Sequence, residues 1–159
     1  MTDSAVMNNP IASRLLPPAR QFNLLSGTYH TLGEKTSITV FVPEEKAELQ
    51  QRLLQRAVAY WQISPAIVIV AKKEAAGLKP GAYRLQIGEQ AITITASGEQ
   101  GVLHAMSTLR QIAEPERGPL LKNYLLPMAD IDDEPCCSFR GIHLCWFPET
   151  EFWEMERAV

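Results

Sequence analysis

The residues best suited to chemistry lie between Asp130 and Trp146, near the carboxyl end of the chain. Acidic residues come first, at Asp130, Asp132, Asp133 and Glu134. Clustered carboxylates can bind a metal or exchange protons, but this spacing lacks the glycine and the terminal glutamate of a calcium loop. The pattern therefore favours a solvated linker over a metal site.

Thiol and imidazole groups follow the acidic residues. His143 and Cys145 are two residues apart, so on a strand their side chains point to the same face and could share a metal with Cys136 or Cys137. The sequence has no Cys-x-x-Cys pair to complete such a set. We therefore expect no metal and no cofactor.

Arg140 stands in an otherwise apolar segment, residues 139–146, which predicts a strand. A guanidinium is costly to bury unless its hydrogen bonds are accepted. Either a carboxylate of the same protein pairs with Arg140, or a ligand rich in hydroxyl groups does. The spacing leaves both interpretations open.

Weaker signals come from two histidines and a pair of glycines. We expect His30 in a hairpin and His104 on a helix surface, rather than as catalytic bases. Gly98 and Gly101 flank a helix start, which can bind an anion. They lack the spacing of phosphate-binding loops, so a tight turn from strand to helix is the better interpretation.

Strands are predicted where apolar residues alternate with polar ones. Ser26-Gly27 and Gly88-Glu89 predict the turns of two hairpins. A continuous β-branched run at residues 67–71 predicts a strand in the middle of the sheet. The predicted strands cover residues 22–25, 28–32, 38–42, 67–71, 83–87, 92–96 and 124–131.

Two helices are predicted from apolar residues at helical spacing. The first covers residues 44–61, with Glu44 and Glu45 near its positive end. The second begins at Ser97, whose spacing to Gln100 fits a capping box. Their apolar stripes are Leu49, Leu53, Leu54, Ala57, Val58 and Trp61, and Val102, Ala105, Met106, Leu109 and Ile112. This order favours an α+β fold, a mostly antiparallel sheet with both helices packed on one face.

Composition narrows the class of protein. The 159 residues are 46% hydrophobic and 21% charged, which is typical of globular domains. A net charge of −3 gives no electrostatic reason to expect nucleic acid or an anionic membrane as partner. The polar amino terminus lacks the apolar core of a signal peptide, and three cysteines do not make a disulfide framework. We expect a cytoplasmic protein.

The domain organisation follows from the last strand. A strand at residues 139–146 and a helix at 149–159 cannot bury both of their faces alone, because parallel strands need partners reached by further crossovers. We therefore expect a loose leader at residues 1–13, one complete α+β domain at 14–134, and the first strand and helix of a truncated (β/α)₈ barrel at 135–159.

Several segments, in this order and separation, resemble glycoside hydrolase family 20, the β-N-acetylhexosaminidases. The resemblance runs with gaps from residue 14 to residue 145. The motifs that carry it are Leu16-Pro-Pro18 before Ser26-Gly27, Tyr83-Arg-Leu-Gln-Ile87 with Ile92-Thr-Ile94, Gly101-Val-Leu-His-Ala-Met-Ser-Thr-Leu-Arg-Gln111, and Ile131-Asp-Asp-Glu-Pro135 leading into Phe139-Arg-Gly141.

The resemblance implies a non-catalytic α+β domain that precedes a catalytic barrel. In such enzymes the acetamido oxygen of the substrate attacks the sugar, assisted by an adjacent Asp-Glu pair from a later barrel strand. Asp133-Glu134 precedes the first barrel strand, so it is not that pair, and this chain is expected to hold no catalytic residue. Arg140 matches the family arginine that binds sugar hydroxyls.

The match ends shortly after Arg140. Cys145, Pro148 and Glu149 stand near positions where the family usually has an aspartate and an Arg-His pair. These differences bear on the substrate and on the activity of the full-length protein. The partners implied are a carbohydrate substrate and the protein's own barrel.

Two other classes of function are compatible with the same residues. One is an appended domain of another glycosidase type, such as an α-glucuronidase or an O-GlcNAcase-like enzyme. The other is a stand-alone α+β interaction module.

Overall fold

The computed structural model describes residues 10–44, 47–116 and 123–137. Its elements are a 3₁₀ turn at Ala12–Arg14, β1 (Gln21–Leu32), β2 (Ser37–Val42), α1 (Ala47–Trp61), β3 (Ala66–Ala71), a 3₁₀ turn at Lys73–Gly77, β4 (Tyr83–Ile87), β5 (Ile92–Ala96), α2 (Glu99–Ile112), β6 (Glu114–Pro115) and β7 (Tyr124–Asp133).

The strands form one mixed sheet in the order β1-β7-β4-β5-β2-β3, and the short β6 also pairs with β7. The pairs β1–β7, β7–β4 and β4–β5 are antiparallel, whereas β2 is parallel to both β5 and β3. The link from β2 to β3 runs through α1, and such a crossover returns the chain in the same direction. The predicted α+β class is confirmed. The sheet is mixed, and four of the six pairings between described strands are antiparallel, as expected for the predicted mostly antiparallel sheet.

The core lies between one face of the sheet and the two helices. Leu85, Ile94 and Val40 are neighbours across β4, β5 and β2, and none is exposed to solvent. Burying a side chain of this size contributes about 1.5–3 kcal/mol. The predicted apolar stripe of α2 is entirely buried, whereas Val58 in the α1 stripe is 47% exposed.

The first predicted hairpin is wrong, because residues 21–32 form one long strand. β1 pairs with β7 on both sides of Ser26-Gly27, and residues 25–28 stand opposite Met128 alone. Pro127 lies beside this irregularity. Proline cannot donate a backbone hydrogen bond, and inside sheets it is found mainly at bulges and edges. The glycine therefore marks a bulge rather than a turn.

The predicted position of β3 in the middle of the sheet is also wrong. Among the described strands, β3 lies at the edge of the sheet and pairs only with β2, and Val68 is 50% exposed. The amide of Ala66 donates to the carbonyl of Thr36, just before β2, and the amide of Lys72 donates to the carbonyl of Val42 in β2. Because successive residues of a strand turn their backbone groups to opposite sides, those of Ile69 point away from β2. Gln50 of α1 donates a 2.8 Å hydrogen bond to the carbonyl of Ile67 at this edge.

Smaller differences concern element ends. The helix predicted from Ser97 begins at Glu99, its N-cap is Gly98, and no side chain caps it. The hairpin between β4 and β5 is confirmed, but its two turn residues are Glu89 and Gln90. They are enclosed by the hydrogen bond from the Gly88 amide to the Ala91 carbonyl.

The described helices include none that is long and apolar enough to cross a membrane.

Candidate functional site

The acidic residues predicted as a linker mostly belong to the last strand. β7 continues through Asp133, and Asp132 and Asp130 stand directly opposite Arg84 and Gln86 of β4. Arg84 Nε lies 2.9 Å from Asp132 Oδ1, and Gln86 Nε2 donates to Asp130 Oδ1 at 3.3 Å. The linker interpretation is wrong for these residues, because the cross-strand partners extend the strand.

No group of three or more His, Cys, Asp or Glu side chains in the described ranges is placed to hold a metal ion. The carboxylates of β7 instead serve as hydrogen-bond acceptors across the sheet. Such pairs at the surface contribute about 0–1 kcal/mol each. They join side chains that the backbone pairing of β7 with β4 already places opposite one another.

The last residue of β7 and the four that follow it form a short stretch that we name the exit segment, residues 133–137. The backbone amide of Arg20 donates to Asp133 Oδ1 at 3.2 Å. The Glu134 carboxylate pairs with the Arg20 guanidinium and with Lys79 Nζ, the latter at 2.8 Å. The first two residues of the exit segment are thus tied to two other parts of the chain.

Pro135 continues this attachment through packing against Gly81. Gly81 has φ +75°, a conformation that side-chain-bearing residues rarely adopt. A Cβ added there would lie 2.9 Å from Pro135 Cγ. The glycine therefore serves both the backbone turn and the close approach of the proline ring.

A cavity of about 220 Å³ lies beside the exit segment, between the start of β4 and α2. Tyr83 and Thr108 share a hydrogen bond between their hydroxyl groups inside it. Burial is the main cause that raises the pKa of the Tyr83 hydroxyl well above its ordinary value. Tyr83 therefore stays protonated at neutral pH and is unsuited to act as a general base.

Two further contacts close this region. His104 Nδ1 donates to the carbonyl of Gly81 at 2.9 Å, and Gln111 Oε1 accepts from the amide of Leu16 at 2.8 Å. His104 is thus a half-buried residue at the helix–sheet boundary. These side chains hold the amino-terminal loop, α2 and the start of β4 together.

His30 has a structural place that the sequence did not indicate. It is 5% exposed at the end of β1, and its Nδ1 lies 2.8 Å from the carbonyl oxygen of Gly88 and 3.1 Å from that of Glu89. A carbonyl only accepts, so Nδ1 carries the proton. Nε2 is buried and has no hydrogen-bond partner in the described part of the chain. The predicted hairpin position is wrong, because β1 is one strand, and His30 instead fastens the turn between β4 and β5.

We expect His30→Ala to lower the free energy of unfolding by about 1–3 kcal/mol, because it leaves backbone acceptors without their donor. His30→Asn should recover much of this loss, since its amide donor takes nearly the position of Nδ1. Urea unfolding of both variants measures the difference. His104→Ala is the matched control. It should cost less, because His104 is only half buried and water can replace its hydrogen bond to the Gly81 carbonyl. Equal losses for His30→Ala and His30→Asn would contradict the assigned role.

Several predicted site residues lie outside the described residues. They are Arg140, His143, Cys145, Pro148 and Glu149. Cys136 and Cys137 are described and exposed. Only two residues separate β5 from α2, which agrees with the predicted tight turn from strand to helix. Gly101 packs against the carbonyl of Ala82, which gives no support for the anion site.

The described residues thus define a two-layer α+β domain whose polar contacts tie segments of the chain to one another and to the exit segment. The family model "Glycosyl hydrolase family 20, domain 2" matches residues 12–134. The chain belongs to glycosyl hydrolase family 20, in which it corresponds to the N-terminal domain.

Known proteins agree with this assignment. A β-hexosaminidase from Vibrio furnissii is 30% identical over 148 residues, which cover 90% of this chain and 22% of that protein. The chain therefore spans about a fifth of this curated relative.

Solved structures show the same fold. A family 20 exo-β-N-acetylglucosaminidase from Vibrio harveyi aligns with a TM-score of 0.60 at 23% identity, over 79% of this chain and 19% of that one. A β-N-acetylhexosaminidase from Streptomyces coelicolor A3(2) gives 0.61 at 21% identity, over 83% and 28% respectively.

Proposed function

We propose that this chain is the N-terminal part of a β-N-acetylhexosaminidase that removes terminal N-acetylhexosamine residues from carbohydrates. The family match over residues 12–134 carries this proposal. The name of the Vibrio furnissii relative supports the same activity. The other glycosidase types are not favoured, because the match is to family 20.

In this proposal the chemistry belongs to a barrel that follows the described domain. The retaining hydrolysis uses the acetamido oxygen of the substrate as the nucleophile, with an adjacent Asp-Glu pair of the barrel orienting it and protonating the leaving group. Residues 139–146 would form the first barrel strand and residues 149–159 its helix. The chain itself would hold no catalytic group.

The exit segment suggests what the N-terminal domain contributes. Asp133 and Glu134 are held by Arg20 and Lys79, and Pro135 packs on Gly81. A strand that begins a few residues later would start from a fixed position. The domain would therefore act as a support that orients the first strand of the barrel, on which Arg140 would bind hydroxyls of the terminal sugar.

We expect the 159-residue chain to release no p-nitrophenol from p-nitrophenyl N-acetyl-β-glucosaminide above background, and the full-length protein to hydrolyse it. The physical reason is that one strand cannot build a barrel active site, whose residues come from the ends of several strands. Initial rates measured at equal molar concentrations provide the comparison.

The matched substrate is p-nitrophenyl β-glucoside, which lacks the acetamido group. The full-length protein should cleave it far more slowly, because the nucleophile is missing. Turnover of the N-acetyl substrate by the purified chain would overturn the inactivity of the fragment. A full-length protein that prefers aryl glucuronides would reject the proposed activity in favour of the α-glucuronidase type.

A further inference from the structure

Two cysteines stand side by side in the exit segment, directly after Pro135. Cys136 and Cys137 are both exposed thiols, and their Sγ atoms lie 3.7 Å apart. We infer that this pair is a redox-sensitive dithiol, which low-molecular-weight disulfides such as oxidised glutathione convert to a disulfide between neighbouring residues. Nothing in the proposed glycosidase chemistry requires it.

The separation of the two sulfur atoms suits this reaction. A disulfide bond is about 2.05 Å long, so side-chain rotation and a small backbone adjustment bring 3.7 Å to bonding distance. Neighbouring Cα atoms are about 3.8 Å apart across a trans peptide, shorter than the 4.4–6.8 Å usual for disulfides. A disulfide closed there is strained and easily reduced, which suits a reversible modification rather than a structural cross-link.

The surroundings determine where this strain is absorbed. On the amino-terminal side, Glu134 is tied to Arg20 and Lys79, and Pro135 packs on Gly81. The end of β7 therefore resists movement. Closing the disulfide should change the backbone at Cys136 and Cys137 themselves, and so alter the direction in which the chain leaves the domain.

The reaction balances without any group from the protein core. The thiolate of one cysteine attacks a sulfur of oxidised glutathione, which forms a mixed disulfide and releases one glutathione thiolate. The second cysteine thiolate attacks the protein sulfur of that mixed disulfide and releases the second glutathione. The pair is oxidised by two electrons and loses two protons, and the oxidised glutathione is reduced to two thiols.

The test uses the 159-residue chain with Cys145→Ser, so that Cys136 and Cys137 are its only thiols. The protein is equilibrated in buffers with increasing ratios of oxidised to reduced glutathione, alkylated and weighed by mass spectrometry. We expect both thiols to disappear in one transition, with the loss of two hydrogens and no added glutathione, and to return with dithiothreitol. Cys136→Ser in the same background should instead gain one glutathione.

A second measurement tests whether the folded protein presents the pair. Phenylarsine oxide, which is chelated by two neighbouring thiols, should bind the Cys145→Ser chain one to one and resist displacement by 2-mercaptoethanol. The midpoint of thermal unfolding should change little on oxidation, because both cysteines are exposed.

Three results would overturn the inference. They are glutathione attached separately to each cysteine, disulfide-linked dimers as the main product, and oxidation only under conditions that unfold the chain. Each would show that the two sulfur atoms do not react with one another in the folded domain.

Discussion

Gly101→Ala is expected to lower the free energy of unfolding by about 2–3 kcal/mol, near the upper end for overpacked positions. A Cβ at this position would lie 2.4 Å from the carbonyl oxygen of Ala82 and 3.1 Å from the Cβ of Ala96. Neither neighbour can give way easily, because the Ala82 carbonyl accepts a hydrogen bond from the Ser97 amide. Helix α2 would have to move off the sheet. Urea-induced unfolding gives the free energy of each variant.

Gly77→Ala is the matched control for this substitution. A Cβ at Gly77 meets nothing within 4 Å, and its backbone does not need glycine. This change should leave stability unaltered or raise it by up to about 1 kcal/mol, because alanine restricts the unfolded chain. If Gly101→Ala proved as stable as Gly77→Ala, the close approach of α2 to Ala82 would not hold in solution.

The second large effect is expected for Arg140→Ala in the full-length protein. If Arg140 binds hydroxyls of the terminal sugar, its removal costs charge-assisted hydrogen bonds worth about 1.5–3 kcal/mol each. The value of kcat/KM should then fall roughly tenfold to a few hundredfold. Arg140→Lys should restore little, since an ammonium group does not reproduce the planar fork of donors. Steady-state kinetics with the aryl N-acetylglucosaminide measure the change.

The competing interpretation of Arg140 is an internal ion pair. If Arg140 forms such a pair, Arg140→Ala lowers the melting temperature while kcat/KM of the folded enzyme stays the same. Measuring both quantities on one preparation therefore distinguishes the two interpretations. Arg14→Ala provides a matched loss of an arginine, because Arg14 pairs with Glu114 at the surface of the N-terminal domain, where both side chains are 42% exposed. Its kinetics should equal those of the unaltered protein, because surface pairs contribute little.

The parts of the fold that could be predicted depend on neighbours in sequence. Alternation at Tyr83, Leu85 and Ile87 and the stripe of α2 both identify buried faces, because one side of each element meets the core. A period in the sequence records which face is buried. The faces of the core were therefore predictable.

The errors concern neighbours that are distant in sequence. A run of β-branched residues shows that β3 is a strand, but the same run suits an edge strand covered by a helix on one face. Ser26-Gly27 suits a bulge as well as a turn, and the choice depends on Pro127 in β7. Periodicity holds no information about which strands pair.

The same reason explains what was missed at the candidate site. Arg20 and Asp133, which meet at the exit segment, are separated by 113 residues in the sequence. His30 meets the Gly88 carbonyl 58 residues away. A composition rich in Asp and Glu at residues 130–134 suggested a solvated linker. The sequence did not show otherwise, because the cationic and amide partners of these side chains lie on other elements.

The edge of β3 has a consequence for the association of this domain with other chains. An apolar edge strand with outward backbone groups is a template for a further strand, and natural sheets usually protect such edges with charges, proline or a covering element. The six residues of β3 contain neither charge nor proline. Gln50 occupies the Ile67 carbonyl and so interrupts the row of outward acceptors. A further strand that paired along this edge would therefore have to displace the hydrogen bond of Gln50 from the Ile67 carbonyl.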